Sequence, residues 1–463
     1  MIDSDPAGAD RPTVVVVGGG LSGIAAALGC ARGGASVTLV ESRARLGGAA
    51  YSFDRHGVHA DNGQHVFLRC CTAYRELLDE LDAGSMVTLQ PRLDIPILAP
   101  GGRRARLRRS GLPAPLHLAG ALARYSLLSL AERFSLVRAM RALGRIDVDD
   151  PQADARSFGD WLAEHGQGAG AVEAIWELIC RPTVNLTVAD ASLAQAAQVF
   201  QVGLLSDTAG GDVGYATVPL SDIHDQAAAR ALARAGVEVR LRTGAARVSA
   251  EGDGLRVELS GGSALHAGAV VVATSPQRTA ALLPPEAGIS RTSLDSLGSS
   301  SIVNLHVLFD RPVLDEAFAA GVYTPVQWIF DRTRSAGVEE GQYLAVTLSA
   351  ADEELGMTAE DLRARYLPAL NELLPAARTA RVNQFFVTRE HAATFRAGPG
   401  ARFNRPGPRT RVPGLVVAGT WTDTGWPATM ESAVRSGRAA ASEALAWLGQ
   451  RARHGDQRLK EVV

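Results

Sequence analysis

Residues 14–41 read VVVVGGGLSGIAAALGCARGGASVTLVE, and the fold is decided there. Four consecutive valines predict a strand buried on both faces. The alanine-rich run after Gly23 predicts a helix, and ASVTLV predicts a second strand that ends at Glu41. Gly18, Gly20 and Gly23 sit in the intervening turn as G-x-G-x-x-G. The first permits the turn, the second lets backbone approach a pyrophosphate, and the third lets the helix pack on the strand. The helix then points its positive end at the phosphates. Glu41 stands where an acid takes ribose hydroxyls. A glycine turn alone could be a tight corner in a sheet, but strand, turn, helix, strand and acid in this order predict an α/β, Rossmann-type dinucleotide domain. This grammar does not separate NAD from FAD.

The rest of the chain sets bounds. Its 463 residues exceed one compact core and predict at least two domains. Forty-seven basic residues against forty-nine acidic ones argue against a nucleic-acid partner. Cys30, Cys70, Cys71 and Cys180 show neither metal spacing nor a disulfide framework, which fits a reducing cytoplasm. The N-terminal MIDSDPAGADRP is acidic and polar, unlike a signal peptide. His56, His59 and His65 cluster without a further ligand at metal spacing, so no metal is expected.

The stretch ESRARLGGAAYSF, residues 41–53, places Arg43, Arg45 and a second glycine pair, Gly47 and Gly48, just beyond the acid. This resembles the flavoprotein superfamily of amine oxidases and phytoene desaturases. DNGQHVF (61–67), GAVVVATSP (268–276) and GLVVAGTWTDTGWPATMESAVRSGRAAA (414–441) extend the resemblance. It implies FAD, with Gly419, Thr420 and the helix start at Ala428, Thr429 and Met430 forming the second half of the cofactor site. The positive end of that helix suits the pyrimidine edge of a reduced flavin. Ala49 replaces an arginine common in the superfamily, leaving Arg43, Arg45 or backbone to contact phosphate. Every cysteine lies before residue 181, so noncovalent FAD is expected.

A narrower resemblance, to hydroxysqualene dehydroxylases, rests on TWTDTGWPATMESAVRSG, WELICRPTVNL with Asn185, EHAATF (390–395), Arg405 and Pro406. Thr420 departs from the aspartate usual there. The resemblance implies a lipophilic isoprenoid substrate, reductive loss of its hydroxyl to give squalene in bacterial squalene or hopanoid biosynthesis, and a separate electron donor. The chemistry needs a general acid in an apolar site. His65 and Asp423 are the candidates, with Asp61 and Glu431 behind them. Asp61 could instead cap a turn, and Glu431 could simply occupy the first turn of the last helix. A carotenoid-type desaturase, a flavin amine oxidase and a non-catalytic FAD-binding protein remain as alternatives. Aromatic residues are only 5% of the chain, against an aromatic amine cage, although Trp421 and Trp426 keep one open.

The expected organisation is a discontinuous FAD domain (1–70, 222–280 and 410–450) and an α+β substrate domain (71–221 and 281–409). VEVRLRTGAARV, residues 237–248, is read as one strand, and the superfamily passes adenine near Val248. The substrate domain is read as a helical block at 111–200 with strands such as SIVNLHVLF and QYLAVTL. Within it, GGRRARLRR (101–109) precedes a segment in which Leu130, Phe134, Val137 and Met140 recur at three and four, interleaved with Arg133, Arg138 and Arg141. Two readings stand: helices over 111–145 packed on the domain, or a peripheral surface on the inner face of a membrane.

Overall fold

The computed structural model describes residues 12–461, with side chains described through residue 453. The acidic stretch read at the N-terminus lies, up to residue 11, outside the described residues.

Strands Glu238–Arg240, Ser36–Val40, Thr13–Val17, Ala269–Val272 and Leu415–Val417 lie side by side in that order as a parallel sheet. Alternate valines of the Thr13–Val17 strand enter two different cores, Val15 and Val17 one, Val14 and Val16 the other. That is burial on both faces, as four unbroken valines require. One face is covered by the helix Leu21–Arg32 packed on the last helix, Met430–Glu461. Small residues set their closeness: a Cβ on Gly437 would lie 2.1 Å from the Ser22 carbonyl oxygen.

VEVRLRTGAARV is two strands rather than one. Glu238–Arg240 joins the parallel sheet, while Ala245–Glu251 opens an antiparallel meander with Gly254–Leu259 and Ala264–Ala267. The main chain makes the break. Arg242 has a positive φ of 53°, and the N–H groups of Arg242 and Thr243 donate to the Arg43 and Glu41 carbonyls at 2.9 and 2.8 Å. Pro276, at the end of GAVVVATSP, opens the helix Pro276–Leu282, where proline's missing N–H costs nothing and Ser275 caps the Arg278 N–H.

The second layer is a seven-stranded sheet in the order Val382–Thr394, Ser300–Phe309, Gln342–Ser349, Trp328–Asp331, Phe318–Gly321, Asp94–Ala99, Arg103–Arg108. Its neighbours are antiparallel except Phe318–Gly321 with Asp94–Ala99. Helices between residues 119 and 200 pack around Phe158, Trp161, Trp176 and Phe200. The mixture is the α/β fold expected. Among the described residues no helix is long and apolar enough to cross a membrane.

Candidate functional site

The first glycine turn is held from both sides. The Gly18 N–H donates to the Val40 carbonyl at 2.8 Å. The buried Glu41 carboxylate accepts from the Gly19 N–H at 2.7 Å, the Arg43 N–H at 2.8 Å and the Ser42 hydroxyl at 3.1 Å. Glu41 therefore shapes the turn as well as standing beside it. A Cβ on Gly23 would come within 1.8 Å of the Gly18 oxygen, so helix and strand meet there with no room for a side chain. A Cβ on Gly20, by contrast, would find its nearest protein atom 3.7 Å away. Gly20 opens the helix without a side-chain cap, leaving first-turn N–H groups for an anion. A hollow beside this turn is lined by Glu41, Ser42, Thr243, Gly244, Thr274 and Arg278. Val248 is not among its lining; it is fully buried in the meander's core.

The second glycine turn lies directly on the first. The Gly47 N–H donates to the Gly19 carbonyl at 2.9 Å, and a Cβ on Gly48 would sit 2.8 Å from the Gly20 Cα. Gly47 and Gly48 have φ of 89° and 58°, a region that favours glycine. Arg43 and Arg45 both donate to the Gly48 carbonyl, at 3.3 and 3.1 Å, and Arg45 stacks on Tyr51 at 3.7 Å. Burial, and Arg43 beside it, lower the pKa of Arg45. These arginines organise the turn.

The C-terminal loop arrives through the Leu415–Val417 strand. Gly419 donates to the Ser436 hydroxyl at 2.8 Å, and its hydrogen position faces the Trp421 indole, which a Cβ would strike. Buried Arg405 ties the loop by donating to the carbonyls of Thr420, Thr422 and Trp426 at 3.1, 2.5 and 2.9 Å. Burial pushes its pKa down to about 10. Thr429 caps the last helix at Ser432, and Ala428, Thr429 and Met430 are half-buried at its start.

The four candidate acids separate sharply. Asp423 is exposed and accepts from the Gly425 N–H. Glu431 is buried and accepts from the N–H groups of Ala73 and Tyr74 and from Arg435. Asp61 is buried, paired with Arg332 at 2.8 Å, and accepts from the Ser52 hydroxyl and the Leu220 N–H. Each of these last two is held in place as an acceptor by several donors. His65 lines a second hollow with Asp61, Gln64, Tyr215, Phe330 and Arg332. Burial lowers its pKa, with Asp61 opposing.

The sequence reading missed His224, Arg278 and Arg332. His224 Nε2 meets the Tyr74 hydroxyl at 2.9 Å, and its Cβ lies 3.2 Å from where a Gly47 Cβ would be. Burial, with His65 nearby, pushes its pKa down to about 3, so it is neutral. The Gln64 Nε2 is buried without a partner among the described residues. Each missed residue stands alone in its stretch, and only the tertiary fold brings it to the turns or, for Arg332, to the hollow lined by His65. An orphaned buried amide, an uncapped helix start and a glycine with space around it fit a bound flavin cofactor at these turns.

Hydroxysqualene dehydroxylase of Rhodopseudomonas palustris is 29% identical over 448 residues, spanning 94% of this chain and 98% of that protein. Zeta-carotene desaturase of a Synechocystis species is 24% identical over 483 residues, spanning 94% and 97%. Cyclohexylamine oxidase from Brevibacterium oxydans shares the fold, with a TM-score of 0.69 at 19% identity over 95% of this chain and all of that one. The profile of flavin containing amine oxidoreductases matches residues 21–445. The chain is a flavin-dependent oxidoreductase and belongs to the flavin containing amine oxidoreductase family.

Proposed function

We propose that the chain binds noncovalent FAD, through a unit assembled from residues 1–70, 222–280 and 410–450, and reduces hydroxysqualene to squalene. Likeness to a hydroxysqualene dehydroxylase along nearly the whole of both chains supports the substrate. The reaction type is carried by His65, which alone among the four candidate acids lines a hollow, of mixed apolar and charged lining, without being held as an acceptor or lying in solvent.

Reduced flavin, when bound, supplies a hydride. His65 gives its proton to the allylic hydroxyl, the C–O bond breaks, and water leaves. Hydride then closes the electron count at the allylic carbon, so one proton and one hydride enter while squalene and water leave. Leu220, Tyr215 and Phe330 supply the apolar part of that lining, on the side where the cation would form. Arg332 balances the charge of Asp61, so that carboxylate does not trap the cation. The flavin's reductant is a separate molecule, since one dinucleotide fingerprint occurs in the chain.

Purified protein with chemically reduced FAD is expected to turn hydroxysqualene into squalene, seen by mass spectrometry, and to leave phytoene and simple amines unchanged. Denaturation is expected to release the flavin. Likeness to zeta-carotene desaturase supports the runner-up, an isoprenoid desaturase running the flavin in the oxidising direction. Reduction of the oxidised enzyme by phytoene, with hydroxysqualene inert, would establish it instead.

A further inference from the structure

The helix Leu130–Leu143 has two apolar faces. Leu136, Ala139 and Leu143 are buried in the core. On the opposite side Leu130, Phe134 and Val137, at i, i+4 and i+7, are 69%, 74% and 44% exposed. The stripe continues along the same side into Arg138 and Arg141, four residues beyond Phe134 and Val137. Leu112 and Leu116, 52% and 57% exposed, lie just before the helix Ala119–Ala123, which packs on the edge strand Arg103–Arg108. A globular chain seldom leaves three large apolar residues in a row on a helix facing water.

The charge around this face is one-sided. Residues 101–145 hold ten arginines and one acid, in a chain whose net charge is −2. The acid, Glu132, is engaged in capping Ser129 at 2.8 Å. Arg106 and Arg108 are paired with Asp94, but Arg124, Arg138 and Arg141 are exposed with no carboxylate partner among the described residues. Apolar side chains flanked by unpaired arginines match a surface that is apolar beneath an anionic layer. A protein partner would need acidic groups interleaved with its apolar contacts, whereas a bilayer presents both layers along the whole helix.

We propose that the exposed face of the Leu130–Leu143 helix, with the arginines along it, docks on an anionic lipid bilayer. Leu130, Phe134 and Val137 enter the headgroup–acyl boundary, and Arg138 and Arg141 lie on lipid phosphates. The inference does not depend on the identity of the substrate.

Flavin-loaded protein is floated with phosphatidylcholine vesicles made with and without phosphatidylglycerol. The wild type is expected to float with phosphatidylglycerol vesicles and to fall off as salt rises. Leu130→Ser with Phe134→Ser is expected to weaken binding at least about ten-fold, from the lost burial of two large side chains. Arg138→Gln and Arg141→Gln are each expected to weaken it about five-fold and to flatten the salt dependence. All four side chains face solvent, so melting temperature and flavin content are expected to stay constant. Absence of wild-type binding to either vesicle, or variants that float as well as wild type, would overturn the proposal. So would a dimer in light scattering that the Phe134→Ser change dissociates, which would assign the face to a second copy.

Discussion

Glu431 Oε2 accepts a 2.8 Å hydrogen bond from the main-chain N–H of Tyr74, and its other oxygen takes the N–H of Ala73. A first-turn acid of the last helix thereby caps the Thr72–Glu80 helix, which has no side-chain cap of its own. Glu431→Ala leaves two N–H groups without acceptors and frees Arg435. A loss of about 2–6 kcal/mol in unfolding free energy is expected, from about 1–3 kcal/mol for each of the two unsatisfied groups. Urea denaturation measures it. A stable variant that has lost only catalysis would return Glu431 to the list of acids.

Gly20 and Gly23 make a paired test. A methyl on Gly23 meets the Gly18 carbonyl at 1.8 Å, a main-chain clash that nothing nearby can relieve. Gly23→Ala is therefore expected to lower the melting temperature of the flavin-free protein by ten degrees or more, or to prevent folding. Gly20 has an ordinary φ of −75° and open space at its Cβ. Gly20→Ala is expected to leave the flavin-free protein as stable as wild type and to weaken flavin binding at least about ten-fold, since the methyl occupies the pyrophosphate's approach. Unchanged flavin affinity in a titration would place the phosphates elsewhere.

The contrast between those glycines shows which parts of the site a sequence can carry. The turn around Gly18, the acid at Glu41 and the helix start at Met430 are local, and their chemistry is written in adjacent residues. Glu41's grip on Gly19 and Arg43 was not legible, because an expected ribose contact already accounted for an acid there. VEVRLRTGAARV kept a strand-like pattern through a break that main-chain bonds to Arg43 and Glu41 impose from another segment. His224 and Arg332 reach the site from distant stretches, with no local motif around either. The arginine-rich helix was legible as amphipathic, but periodicity could not say which of two apolar faces is packed.

Two buried histidines predict acid sensitivity. Burial pushes the pKa of His224 and of His306 down to about 3, with His65 and Arg55 as their respective secondary causes. In the unfolded chain both titrate near 6.5. Below that value the unfolded state takes up protons that the folded state refuses, so stability is full above about pH 6.5 and falls as pH drops towards 3. Each histidine contributes a slope of up to about 1.4 kcal/mol per pH unit. His306 stacks on Phe386 at 4.4 Å and lies outside the proposed site, so His306→Gln is expected to reduce the slope with flavin binding retained. An unaltered slope in urea titrations at several pH values would assign the acid loss to other groups.

The pH dependence of turnover tests His65 itself. A donor must be protonated, and burial holds this imidazole below its ordinary value while Asp61 partly offsets the shift. The rate with saturating reduced flavin is therefore expected to be level at low pH and to fall about ten-fold per unit once pH passes a midpoint below 6.5. The enzyme would work at neutral pH through a minority protonated form, which is also the stronger acid. His65→Asn is expected to lower turnover by about 10²–10⁴ and to abolish that limb. Flavin affinity and melting temperature are expected to hold, because the side chain is half-buried and, among the described residues, no hydrogen bond from its ring ties the fold together. A variant that keeps the wild-type profile at a reduced rate would show that His65 positions the substrate while another group, or water, delivers the proton.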